Sequence, residues 1–223
     1  MCVIGRVRAR CVRRPVSMPA MSDEHIQGIL DFWFGDRQAS DSAIVERQAP
    51  LWWQARPEDD QTIGNQFGDL ARHAVEGHLD EWAQTAHGRL ALILLLDQFP
   101  RAIYRGEAEA FTQDQSALAH SLQAQGQGQD RELRPVEQLF IYTPMLHAES
   151  LMVQDECVLR FQDLLNRVAD ADRPAFERLL ETARYRREVI LRFDRFPHRN
   201  ELLGRVSTPA ESDFLASEDA TVV

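Results

Sequence analysis

The chain has 223 residues, 44% of them apolar, with a formal net charge of −10. That length supports a sizeable core without disulfides or metals, and that charge argues against nucleic acid, whose phosphates call for a basic face. All 25 basic residues are arginine, which excludes Schiff-base lysines, a P-loop lysine and Ser-Lys dyads.

Residues 1–20 hold Arg6, Arg8, Arg10, Arg13 and Arg14, no acid and no hydrophobic signal core. They read as a start assigned ahead of Met21, or as a flexible basic tail. A single all-helical domain is expected over 21–217, with a disordered tail over 218–223. Cys2, Cys11 and Cys157 have no metal-ligand spacing and are odd in number, so neither a zinc site nor a disulfide framework is expected, and a reducing cytoplasmic setting fits.

Ser22 reads as the N-cap of a first helix whose apolar stripe is Ile26, Ile29, Leu30, Trp33 and Phe34, stopped by Gly35. Residues 36–57, with Trp52 and Trp53, look irregular. Pro57 opens a second helix (Ile63, Phe67, Leu70, Ala71, Ala74) with Gly77 at its C-terminus. A third, about 83–98, carries seven successive apolar residues from Leu90 to Leu96. Seven is far short of the ~20 a membrane span needs, and reads as a buried central helix. Asp97 and Pro100 are expected to end it. A fourth starts at Thr112 and Asp114 and ends at Gly126-Gln127-Gly128. Pro135 opens a fifth, in which Pro144 should force a kink or break. A sixth resumes through Leu146, Leu151, Val158, Phe161, Leu164 and Leu165. Asp172 and Pro174 start a seventh, through Phe176, Leu180, Ala183, Val189, Ile190 and Phe193. Thr208-Pro209-Ala210-Glu211 is a capping box for a short last helix. No alternating strand pattern occurs. The class is all-α, with about seven to nine helices in a bundle or right-handed α-solenoid.

Three polar segments stand out. They are Asp97-Gln98-Phe99-Pro100-Arg101, His147-Ala148-Glu149, and Arg192-Phe193-Asp194-Arg195-Phe196-Pro197-His198-Arg199-Asn200, followed by Arg205. Together these motifs resemble the bacterial domain of unknown function 924, over roughly Ile29 to Leu215. The resemblance implies an all-helical, tetratricopeptide-like architecture and no established activity. One departure is visible: the family commonly has asparagine after the arginine of the first motif, where this chain has Ala102.

Each segment has two readings. The two Asp-x-Phe-Pro segments serve as helix stops, with phenylalanine anchoring the exit and arginine satisfying the last carbonyls. Alternatively the segments converge on a ligand pocket, where Arg101, Arg199 and Arg205 clamp a carboxylate or phosphate and Gln98 and Asn200 add amide contacts. The expected occupant is then a small anion or a peptide partner. An enzymatic alternative is a hydrolase or lyase that uses His147 and His198 as acid and base, with Asp97 or Glu149 orienting an imidazole. No metal, cofactor, membrane or nucleic-acid partner is expected, and oligomeric state leaves no mark in the sequence.

Overall fold

The computed structural model describes residues 19–217. The two expected tails, 1–20 apart from its last two residues and 218–223, lie outside them. The described residues form α1 (Pro19–Phe34), α2 (Asp41–Trp53), α3 (Pro57–Val75), α4 (Ala86–Ile93), α5 (Phe99–Ile103), α6 (Asp114–Gly126), α7 (Pro135–Leu146), α8 (Leu151–Arg167), α9 (Arg173–Phe193) and α10 (Pro209–Leu215). No strand occurs among them, and no helix is long and apolar enough to cross a membrane.

α4 passes through a π-helical turn (Leu94–Gln98) into α5, making one continuous rod. Residues 90–96 are all buried, because α1, α3, α6 and α7 pack around the rod. Thr85 caps its start, its Oγ1 accepting from Gly88 N. Gly88 has to be glycine. A Cβ there would lie 2.2 Å from the Trp82 carbonyl oxygen. A second buried anchor is Arg89, whose guanidinium donates to the side-chain carbonyls of Gln123, Gln127 and Gln129 and to Ala83 O. It ties α4 to the end of α6 with amide acceptors and no carboxylate.

The α8–α9 hairpin packs against α7, and α9 also touches α2. Beyond α9, a second small core of Val189, Ile190, Phe196 and Phe214 seats α10. The Thr208–Glu211 capping box forms with both of its bonds. Gly77, at φ +77°, follows the α3 C-terminus as expected.

Four expectations need correction. Residues 41–53 are a helix, α2. Its capping Ser40 and buried Ile44, Val45 and Trp52 give only a thin stripe, and Pro50 inside it masked the pattern. Ser22 lies within α1 rather than at its cap. The central helix does not end at Asp97 and Pro100. Phe99 N reaches back five residues to Leu94 O, and that wide turn accommodates the proline, so the rod continues to Ile103. Pro144 does not break α7, which runs on to Leu146. Its frayed end is held by Gln154 of α8, whose Nε2 donates to Met145, Leu146 and Ala148 carbonyls.

Candidate functional site

The π turn places Asp97 in the interior, with no solvent exposure. A buried carboxylate must be paired and hydrogen-bonded, and this one is. Its Oδ1 is 2.7 Å from His147 Nδ1 and 3.1 Å from Arg101 Nη1, and its Oδ2 accepts from Gln98 Nε2. Burial pushes the carboxyl up, but Arg101, His147 and Gln98 outweigh it and hold Asp97 well below the usual carboxylate range. Arg101 also donates to Asp97 O and, through Nη2, to Asp114 Oδ1 at 2.8 Å. Asp114 shares its other oxygen with Arg199 Nη1 at 3.0 Å. Burial raises Asp114 despite both arginines.

Three arginines meet here and differ in what they have left to give. Arg101 is committed on both terminal nitrogens. Arg199 is buried between Phe111 and Phe196, its guanidinium carbon 4.7 and 4.9 Å from the ring centroids. It spends one nitrogen on Asp114, and its Nε has no partner. Arg186, from α9, makes no hydrogen bond or ion pair among the described residues, although the Asp97 carboxylate acts on it at longer range. It lies 5.8 Å from the Phe196 centroid, and its Nε is buried without a partner. Burial, then Arg199 and Arg101, pull its pKa down to about 10.

The histidines are neutral for the same reason. Burial first, then Arg101, takes His147 down to about 3. Burial, then Arg199 and Arg186, takes His198 down to about 4. A neutral His147 donates Nδ1–H to the Asp97 carboxylate, which leaves Nε2 as a lone-pair acceptor with no protein partner among the described residues. At neutral pH both imidazoles are unprotonated, so each offers a lone pair and neither arrives as an acid.

These groups line one end of a cavity of about 1120 Å³. Gln98, Arg101, His147, Arg186, His198 and Arg199 face it, as does Ala102, where no carboxamide is present. Asp97 stands behind His147. A smaller cavity of about 280 Å³ shares Phe111, His147 and Arg199 with the first.

Glu149, Arg205 and Asn200 are not part of the large cavity's lining. Glu149 takes a two-pronged ion pair from Arg205 at 2.7 and 3.0 Å and accepts from Phe196 N. Arg205 also donates to Phe196 O, and Asn200 Nδ2 to Ser207 Oγ. These three fasten the 196–207 loop and border the site through Phe196 and, at Glu149, the smaller cavity.

Arg186 is absent from the sequence-based set. Its signal was present: it falls three residues after buried Ala183 and three before buried Val189, a charge on the apolar stripe of α9. For cations, His73, Glu76 and His78 bring one donor atom each within 4.8 Å of one another, on the partly exposed end of α3. None of them lines the cavity.

A family model for a bacterial protein of unknown function, DUF924, matches residues 29–219. No curated protein matches. A solved protein of unknown function from Agrobacterium tumefaciens is similar in fold, with a TM-score of 0.71 at 30% identity, covering 87% of this chain and 98% of that one. With its three polar motifs converging inside an all-helical body of the same fold, the chain belongs to the DUF924 family of bacterial proteins of unknown function.

Proposed function

We propose that the cavity binds a small ligand through an anionic group, a free carboxylate or phosphate, and that the terminal carboxylate of a peptide is chemically equivalent. The observation that carries this reading is Arg186, a cation on the cavity lining with no acceptor among the described residues. With Arg101 and Arg199 it makes three arginines against two carboxylates, Asp97 and Asp114. Buried charge left uncompensated is costly, and a bound anion would balance it. Two-pronged guanidinium recognition suits both anions.

Thermal shift in phosphate-free buffer tests this. Saturating inorganic phosphate should raise Tm, by roughly 5–10 °C at a hundredfold excess over Kd. The gain should vanish in Arg186→Met and persist in Arg187→Met, which alters a half-buried neighbour paired with Asp155 and outside the cavity lining. No gain with phosphate or acetate, or equal gains in both variants, sinks the reading.

A second reading, a hydrolase or lyase, is favoured by the Asp97–His147 pair. An imidazole oriented by a buried carboxylate with a free Nε2 is a general base, and the arginines would stabilise developing negative charge. His147→Gln should then abolish turnover of an anionic ester or hydroxy acid while leaving phosphate affinity unchanged. Unchanged turnover would rule this out.

The finer architectural reading, a tetratricopeptide-like helical-repeat body, is supported by the antiparallel α8–α9 hairpin packed on α7. Cytoplasmic placement is supported by Cys157, buried and free.

A further inference from the structure

The cavity is much larger than its polar end requires. A bare anion fills a small part of about 1120 Å³, since a water molecule takes only ~30 Å³. The remainder carries the charged Glu46, Asp60, Arg105 and Arg178 beside a broad apolar surface. Trp33, Trp52, Trp53, Ile63, Leu139 and Phe140 make up that surface. Three of them form a single aromatic wall, with Trp52 4.7 Å and Trp33 5.4 Å from the Phe140 centroid.

At the mouth, Trp53 stands 52% exposed, edge-on to Trp52 at 5.3 Å. A half-exposed tryptophan on a cavity rim presents apolar surface that a ligand would cover. Arg178 is exposed on the same lining and makes no ion pair among the described residues. It adds a cation to a lining that also holds Glu46 and, paired with Arg105, Asp60.

We infer that the ligand is amphipathic: a carboxylate or phosphate head on the Arg186–Arg199 end, joined to an aromatic or branched apolar body lying along the Trp52–Phe140 wall. This rests on the anion-site reading above. The wall supplies affinity through burial and the arginines supply orientation, the usual division in small-molecule pockets.

The test is a set of affinities measured by calorimetry on the full chain. The probes are inorganic phosphate, acetate, phenyl phosphate, 3-phenylpropanoate and the neutral 3-phenylpropanol. At least one aryl anion should bind about tenfold or more tightly than its bare counterpart, since burying a ring removes well over 100 Å² of apolar surface from water. The alcohol should bind at least about tenfold more weakly than the acid, the loss of one charge-assisted contact. Trp53→Ala should weaken the aryl anions several-fold and leave inorganic phosphate unchanged. Equal affinity for bare and aryl anions, or no effect of Trp53→Ala on the aryl anions, overturns the amphipathic ligand and spares the anion site. An alcohol as tight as the acid, or no binding by any probe, overturns both. The tighter of the two aryl anions identifies the head group.

Discussion

Replacing Arg186 with methionine should stabilise the ligand-free protein, the opposite of what most substitutions do. The side chain keeps its apolar stem and much of its volume, and loses a cation with no acceptor among the described residues. Burial and the facing arginines depress its pKa to about 10. A fall of that size corresponds to ~3 kcal/mol against the charged form. Partial exposure of the side chain discounts that figure. Loss of the contact with the Phe196 ring, 5.8 Å away, takes back about 0.5–1 kcal/mol. A net gain on the order of 1–2 kcal/mol remains, or a Tm increase of roughly 2–8 °C for a chain of this size. Scanning calorimetry in phosphate-free, low-salt buffer reads it. The neighbouring Arg187→Met should stay within about 0.5 kcal/mol of wild type, as surface changes do. A lower Tm in Arg186→Met would mean that the guanidinium has a favourable partner in the free protein, and the surplus-charge argument would fail. The expected pattern is a function–stability trade: the free protein gains stability from the change that removes its anion contact.

Two further outcomes follow from the interior. Because His147 and His198 have folded pKa values of about 3 and 4, below the ~6.5 of an unfolded histidine, the unfolded chain takes up protons first. Stability should therefore fall as pH drops from 6.5 towards 4, by up to ~1.4 kcal/mol per pH unit from the buried His147, and by less from His198, whose exposed ring is screened by solvent. His120, lowered by burial, adds in the same sense, and Asp41 and Asp114, raised by burial, oppose the trend. Urea unfolding at pH 7, 6 and 5 measures the slope. A flat profile would mean that His147 is not held neutral, and His147→Gln should remove more of a real slope than His198→Gln does. Separately, Gly88→Ala drives a methyl into the Trp82 carbonyl at 2.2 Å and should cost at least about 2 kcal/mol, because the obstacle is backbone. A Tm within 2 °C of wild type would contradict that.

The all-helical class, most helix starts and the central position of residues 90–96 were legible because each rests on local pattern: proline at N1, a capping residue, a 3.6-residue stripe. α2 was not, since its stripe is thin and proline interrupts it. The passage of the rod through Pro100 was also hidden, because a helix stop and a π turn share the same residues in sequence and differ only in which carbonyl Phe99 N reaches. The site was half legible. Asp97, Arg101, His147, His198 and Arg199 do meet. Glu149 and Arg205 looked identical in kind but satisfy each other, a pairing across 56 residues that no local pattern encodes. Arg186 is one of six arginines on α9, and its place on the apolar stripe does not tell that it faces a cavity until the opposite wall is known.

The π turn at Leu94–Gln98 has a consequence for how the chain tolerates change in length. It holds one residue more than an α turn would. Removing one residue there would let the rod close into uninterrupted α-helix, with its backbone bonds intact. Residues beyond the cut would keep nearly their former facing, because the wide turn already absorbs the extra residue locally. A deletion in the regular α-helix before it would instead turn everything downstream by about 100°, the angular step of one residue, and take Arg101 away from Asp114. The cavity's polar end is in this sense a matter of phase: it depends on counting residues along a helix as much as on which residues they are. Deletion of Leu94 or Leu95 should therefore be less damaging than deletion of a residue within Leu90–Ile93.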